Sequence, residues 1–261
     1  MLFVPADRPE RFEKALASGA DAVILDLEDA VAPDRKPYAR QRLIDWLGPG
    51  HSVLVRINAP GTPWFGDDVR LGRMPGVAGI VLPKADSRAD VLAVVRQVAD
   101  GLAVYPLIES AKGMRNVQQI AAAPSVRQLV FGSIDFCADL RMDLRNHELN
   151  QFRAQLALAS RVAGIEPPID GVTTAIDQDD LVRVETVEAR RWGFAGKLCI
   201  HPRQVAVVNQ AFLPNQAERD WAARVIAAFA AAHGAAVAVD GKMVDRPVVQ
   251  RAQAILDAAG A

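Results

Sequence analysis

Residues 103–109 read Ala103-Val104-Tyr105-Pro106-Leu107-Ile108-Glu109, an apolar run that ends abruptly on a carboxylate. A run without inside/outside alternation is what a strand buried on both faces requires. A charge at the end of such a strand is costly unless a partner or a ligand meets it. Working outward, the same pattern recurs along the chain. Leu2-Phe3-Val4 precedes a helical stretch, Pro9 to Ala17, in which Pro9 suits the first turn. Ala22-Val23-Ile24-Leu25 is followed by Asp26, Glu28 and Asp29. Val53-Leu54-Val55 runs into Arg56 and Asn58, and Gly79-Ile80-Val81-Leu82 into Lys84. Leu129-Val130-Phe131 leads to Gly132 and Asp135. Pro168 to Gly171 carries Asp170, and Ala195 to Ile200 ends at His201. Between these runs, helices are expected over Lys36 to Leu47, Arg88 to Ala99 behind the N-cap Ser87, His147 to Ala163, and Asp177 to Arg191.

Eight apolar strands separated by helices predict a parallel sheet with helices outside. The 261 residues suit one α/β domain, a (β/α)8 TIM barrel with extra C-terminal helical segments. The barrel is expected over about 1–212. A helical extension over about 213–261 would hold Gln216 to Ala232 and Pro247 to Ala258. The rival fold is a doubly wound open sheet, but no Gly-x-Gly-x-x-Gly turn follows the first strand. Apolar residues at 51% and charged residues at 23% are ordinary for a globular chain. With 30 basic and 31 acidic side chains, the net charge of -1 leaves no broad basic field, so nucleic acid is not an expected partner. Cys137 and Cys199 make no disulfide framework and read as small buried fillers near strand ends, as in a reducing cytoplasm. The alanine-rich stretch Ala222 to Val239 holds Arg224, His233 and Gly234, so no membrane span is expected there.

In a barrel all strand C-termini open on one face, and that face holds the active site. Glu28, Asp29, Arg56, Lys84, Glu109, Asp135, Asp170 and His201 would therefore converge. Loops after strands are polar in any case, and a lone charged residue there is commonly a cap or a surface group. Apolar context singles out Glu109 and Arg56, and Gly132 lets backbone approach a ligand beside Asp135. Two carboxylates from adjacent strand ends make a hard-cation site, and Mg2+ takes one or two of them and fills the rest of its shell with water and substrate oxygens. His51, His147, His201 and His233 are too scattered for zinc, and His201 before Pro202 reads as a structural cap of the eighth loop. Lys84 has two readings: a Schiff-base lysine, or the ion-pair partner of Glu28 or Asp29.

At these residues the chain resembles the citrate lyase β-subunit-like branch of the HpcH/HpaI aldolase superfamily. The stretches that carry the resemblance are Leu2-Phe3-Val4-Pro5 with Arg8-Pro9, then Asp26-Leu27-Glu28-Asp29-Ala30-Val31, and Val55-Arg56-Ile57-Asn58 with Thr62-Pro63-Trp64. Leu82-Pro83-Lys84, Ile108-Glu109-Ser110-Ala111, Phe131-Gly132 with Asp135-Phe136, and Ile200-His201-Pro202 complete an ordered set across nearly the whole chain. The resemblance implies a homotrimeric or hexameric lyase that breaks or forms a carbon–carbon bond between an acyl-thioester carbon and an oxo acid. It implies that Glu109 and Asp135 ligate Mg2+, that Arg56 binds the oxo-acid carboxylate with help from the backbone at Gly132, and that Glu28 and Asp29 orient metal-bound water. An aspartate from a neighbouring subunit serves some relatives. Here the match is Asp245 in Gly241-Lys242-Met243-Val244-Asp245-Arg246-Pro247, which is either that group or a helix-start residue. The implied reaction is cleavage of a citryl thioester, on CoA or an acyl carrier protein, to oxaloacetate and an acetyl thioester. Malyl-CoA or citramalyl-CoA cleavage, or a malate-synthase-like reaction, is the alternative. A non-catalytic oxo-acid-binding subunit is the alternative of another class.

Overall fold

A computed structural model describes residues 1–143 and 146–260. Eight strands form one parallel sheet in sequence order: β1 (Leu2–Pro5), β2 (Val23–Asp26), β3 (Val53–Arg56), β4 (Val77–Leu82), β5 (Ala103–Ile108), β6 (Gln128–Phe131), β7 (Glu166–Asp170) and β8 (Gly196–Lys197). The sheet closes on itself. Phe3 N donates to Cys199 O at 2.9 Å, and Cys199 N donates to Met1 O at 2.8 Å. The barrel is filled by inward side chains from six strands, β2 to β7, and the residue after β8: Ile24, Leu54, Val81, Tyr105, Leu107, Val130, Ile169 and Leu198. Burying each large aliphatic side chain contributes roughly 1.5–3 kcal/mol, so this layer fixes the strands whose ends carry the polar residues.

The expected strands all form, with ends shifted by a few residues. The eighth is the shortest, because only Gly196–Lys197 joins the ladder while Cys199 makes an isolated bridge to Leu2. The helix expected over Pro9 to Ala17 splits into a 3-10 turn, Pro9–Arg11, and a short helix, Phe12–Leu16. Ser87 caps the Arg88–Val95 helix as expected, accepting from Asp90 N. The Ser133–Leu140 helix was not expected. It has only eight residues, begins behind Gly132, and has no side-chain cap to signal it.

The chain divides into two compact units, Met1–Asn209 and Gln210–Ala261. The second unit has its own core of Ala222, Val225, Val239, Val244 and Ala252. Its Gln216–Ala231 helix starts at a capping box between Asn215 and Glu218. Strands β9 (Val237–Val239) and β10 (Lys242–Val244) form an antiparallel hairpin. Its turn is Asp240-Gly241, both left-handed, as the favoured two-residue hairpin turn demands. Among the described residues, no helix is long and apolar enough to cross a membrane.

Candidate functional site

Parallel register sets the first contact of the site. Asp26 and Arg56 are partners across β2 and β3 at the C-terminal ends of those strands. Arg56 Nε donates to Asp26 Oδ1 at 2.7 Å and Nη2 to Oδ2 at 2.6 Å, a bidentate pair. Arg56 Nη1 lies 3.1 Å from Glu28 Oε2 and 3.8 Å from Asp29 Oδ2, and the guanidinium stacks over the Phe3 ring at 4.7 Å. Burial opposes the charge on Arg56, but Asp26, then Glu28 and Asp29, outweigh it and hold the guanidinium firmly protonated. Lys84 Nζ lies 3.2 Å from Glu28 Oε1. Burial pushes the Glu28 carboxyl up, with Arg56 and Lys84 pulling it back.

Glu109 directly follows β5 and is 4% exposed. Its Oε1 accepts from Lys84 N at 2.7 Å. That bond explains why Lys84 stands in a left-handed conformation, φ 49°: the turn aims its N–H at the carboxylate. Burial raises the Glu109 pKa to about 8; the Lys84 N–H and then Arg56 oppose it, while Glu28 and Asp135 add repulsion. A Cβ added at Gly132 would stand 2.5 Å from Glu109 Cβ and 2.7 Å from Oε2. Gly132 is therefore required by the Glu109 side chain itself, and it also lines the cavity in which its backbone would meet a ligand. Gly132→Ala is expected to push Glu109 aside and weaken ligand binding at this carboxylate about 10–100-fold, as displaced supporting groups do. Calorimetric titration would read the loss, and unchanged affinity would show that Glu109 has room to move.

Of these groups all but Glu28 and Lys84 line one cavity of about 320 Å³ at the C-terminal face of the barrel. Its charged members are Asp26, Asp29, Arg56, Glu109 and Asp135, set among Phe3, Leu107, Phe131, Val172, Leu198 and Ile200. Asp135 lies in the first turn of the Ser133–Leu140 helix. No group of three or more His, Cys, Asp or Glu among the described residues is arranged to hold a metal. The Glu109–Asp135 pair instead suits a hard cation that takes most of its ligands from water and substrate. A buried carboxylate with a raised pKa and only an N–H to meet it is a group that a divalent cation would stabilise.

With that geometry in hand, comparison with known proteins decides the family. A model of the HpcH/HpaI aldolase/citrate lyase family matches residues 1–202. The chain belongs to this family. A citrate lyase subunit beta-like protein of Deinococcus radiodurans is 33% identical over 273 residues, covering 98% of this chain and 95% of its own. A (3S)-malyl-CoA thioesterase of Cereibacter sphaeroides is 38% identical over 255 residues, covering 94% and 88%. Among solved structures, protein CitE from Mycobacterium tuberculosis in complex with magnesium, acetoacetate and coenzyme A superposes with a TM-score of 0.89 at 38% identity, over 100% of this chain and 97% of that one. The (β/α)8 fold expected from the sequence is the fold of these relatives.

Not every residue expected at the site of this family member arrives there. Glu28, Asp29, Arg56, Lys84, Glu109, Gly132 and Asp135 do come together at one end of the barrel. Arg56, however, cannot offer its side-on pair of N–H groups to a carboxylate, because Asp26 holds them. Asp26 is the functional group that sequence reasoning passed over, although its place as the last residue of β2 marked it. Asp170 is diverted. It is wholly buried and tied to Arg153 and Lys197, away from the cavity lining. The Lys84 ion pair forms with Glu28. His201 accepts from Arg203 N at 3.2 Å, the capping role expected of it. Cys199 is buried, but Cys137 is only half-buried and sits on a helix rather than near a strand end. Asp245 belongs to the second unit, where its Oδ1 accepts from Val248 N at 3.4 Å and its carbonyl from Val249 N at 3.0 Å, at the start of the Arg246–Gly260 helix.

Proposed function

We propose that the cavity is the active site of a magnesium-dependent carbon–carbon lyase, which splits a 3-hydroxyacyl thioester into a 2-oxo acid and an acyl thioester. The observation that carries this reading is Glu109, buried at a strand end, raised in pKa to about 8 and lining the same cavity as Asp135. Glu109 and Asp135 would hold Mg2+, and the ion supplies Lewis acidity at the oxygen that becomes the ketone. Arg56 has five N–H donors, of which Asp26 takes two and Glu28 one, so two remain for one substrate carboxylate. The free N–H groups in the first turn of the Ser133–Leu140 helix add to carboxylate binding. Glu28 and Asp29 orient water at the site, and Arg56 and Lys84 both oppose the burial that pushes the Glu28 carboxyl up. The apolar side chains excluding water from the cavity strengthen each of these charge interactions. In the reaction the hydroxyl proton passes to the water oriented by Glu28 and Asp29 and on to solvent, the bond between the hydroxyl carbon and the thioester α-carbon breaks, and its electrons pass to the thioester enolate. Asp245 is the proposed acid that protonates the enolate carbon, supplied by a neighbouring copy in a homotrimer or hexamer.

The thioester carrier has a path. A second cavity of about 290 Å³ shares Phe3 and Ile200 with the first and is bordered by Arg11, Lys14 and His201. Basic side chains over an apolar floor suit a phosphorylated carrier chain, as CoA and acyl carrier protein both have. The leading substrate is a citryl thioester, which yields oxaloacetate. A second reading, malyl- or citramalyl-thioester cleavage to glyoxylate or pyruvate, is favoured by Arg56. Among the described residues it is the only cation lining the first cavity, and its two side-on donors are already committed.

Incubation with citryl-CoA, malyl-CoA and citramalyl-CoA, with Mg2+ or with excess chelator, tests both readings through trapped oxo acid. Mg2+-dependent release of oxaloacetate supports the first, and of glyoxylate or pyruvate the second. Free CoA without oxo acid would make the protein a thioesterase. Oxo-acid binding with no turnover would make it a binding subunit.

A further inference from the structure

The cluster Arg153–Asp170–Lys197 has no part in the chemistry above, yet it lies one helical turn from it. A third cavity of about 290 Å³ includes Arg153 and Lys197 in its lining and shares Ser133, Ile134 and Val172 with the candidate site. The wall between them is thus the first turn of the Ser133–Leu140 helix, the turn that carries Asp135, with Val172 beside it. Little in its own sequence holds that turn. The helix has eight residues, too few to be stable alone, and its N-cap is Gly132 with no side-chain cap. What meets it is the end of β7. A Cβ added at Gly171 would overlap Ser133 Oγ, stand 3.0 Å from Ser133 Cβ and stand 3.1 Å from Phe131 O. The β7 backbone therefore packs directly on the first residue of the helix, and only glycine allows it.

The end of β7 is itself fixed. Asp170 Oδ1 accepts from Arg153 Nε at 2.9 Å, and Oδ2 accepts from Arg153 Nη2 at 3.2 Å and Lys197 Nζ at 3.1 Å. Its carbonyl accepts from Leu198 N at 2.9 Å. Arg153 also donates to Asn146 O at 2.6 Å and Asn150 Oδ1 at 2.9 Å. Three buried charges thereby bind β7, β8 and the Asn150–Ala163 helix into one block. We propose that Gly171, held by this block, is a positioning residue: it seats the first turn of the Ser133–Leu140 helix and so aims Asp135 into the site. The aim of Asp135 rests on the lyase reading, whereas the seating of the turn stands without it.

The test uses Gly171→Ala in the full chain, read by amide hydrogen exchange from Phe136, whose N–H closes the first turn on Gly132 O at 2.9 Å, to Leu140, and by calorimetric Mg2+ titration. Exchange in that turn is expected to rise about tenfold, and the Mg2+ Kd to rise on the order of tenfold or more, the range for groups that orient a metal ligand. Adding Ser133→Ala, which removes the overlapped Oγ, is expected to reverse most of both changes. If Gly171→Ala does not fold, Ser133→Thr adds a methyl to the same contact from the helix side and gives the same pair of changes. Exchange equal to wild type, or a defect that Ser133→Ala does not reverse, overturns the proposal. Faster exchange with an unchanged Mg2+ Kd overturns the aiming of Asp135. Failure of the wild type to bind Mg2+ overturns the lyase reading instead, and the exchange measurement still decides the seating.

Discussion

Glu109→Gln is expected to lower oxo-acid release by at least about 10³-fold while leaving the fold intact. Lewis-acid assistance is worth several kcal/mol, and each 1.36 kcal/mol is tenfold in rate. The substitution keeps the shape of the side chain, and a Gln oxygen can still accept from Lys84 N. It removes one of the two carboxylates proposed to hold the ion and leaves Asp135 alone. Stability separates this outcome from simple damage. A ligand that binds only the folded state adds about 2.7 kcal/mol at one hundred times its Kd. Wild-type protein should therefore gain thermal stability on adding Mg2+, and Glu109→Gln should gain almost none. In chelator the variant should melt no lower than wild type, because it no longer buries an ionisable group whose charged form is disfavoured. A variant that keeps both Mg2+ stabilisation and turnover would place the metal elsewhere.

The apolar runs made the barrel legible, because strands covered on both faces must be apolar throughout. Strand ends were legible too, since each run stops on a polar residue, and that reading gathered Glu28, Arg56, Lys84 and Glu109 correctly. What a run of residues does not carry is which polar neighbours find each other. Asp26 and Asp170 are both final strand residues in similar apolar settings. Register puts Asp26 beside Arg56 at the cavity, whereas Asp170 meets Arg153 from a helix and Lys197 from the next strand. Gly132 shows the same limit. Its position was legible, but the reason for it lies in a side chain 23 residues earlier that packs across it. The Ser133–Leu140 helix escaped because its order comes from packing on β7 rather than from caps or length. Asp245 was legible as a motif and as a helix start, and the hydrogen bonds it makes are those of a helix start.

Asp170→Asn is expected to cost far more stability than activity arguments would suggest. The carboxylate is fully buried, and Arg153 and Lys197 are each 2% exposed. Removing one partner leaves the others buried and unmatched, which costs about 3–5 kcal/mol. For a unit of the size of Met1–Asn209, about 2–4 °C of melting temperature is lost per kcal/mol, so a fall of roughly 10 °C is expected. The pH dependence has a definite sign. Burial alone would raise the Asp170 pKa, but Lys197 and then Arg153 outweigh it and hold the carboxyl below its ordinary value. A group with a lowered folded pKa stabilises fully above its unfolded value, about 3.9, and loses that contribution as pH falls through the folded value. The stability gap between wild type and Asp170→Asn should therefore stay flat from pH 8 to pH 5 and close only in strong acid. Replacing the whole cluster, with Arg153→Met, Asp170→Leu and Lys197→Met together, should recover much of the loss, since apolar substitutes for a buried charge cluster are often neutral. A single Asp170→Asn variant melting within 2 °C of wild type at neutral pH would mean that water or relaxation screens the two cations, and the block behind the wall of the candidate site would be softer than its geometry implies.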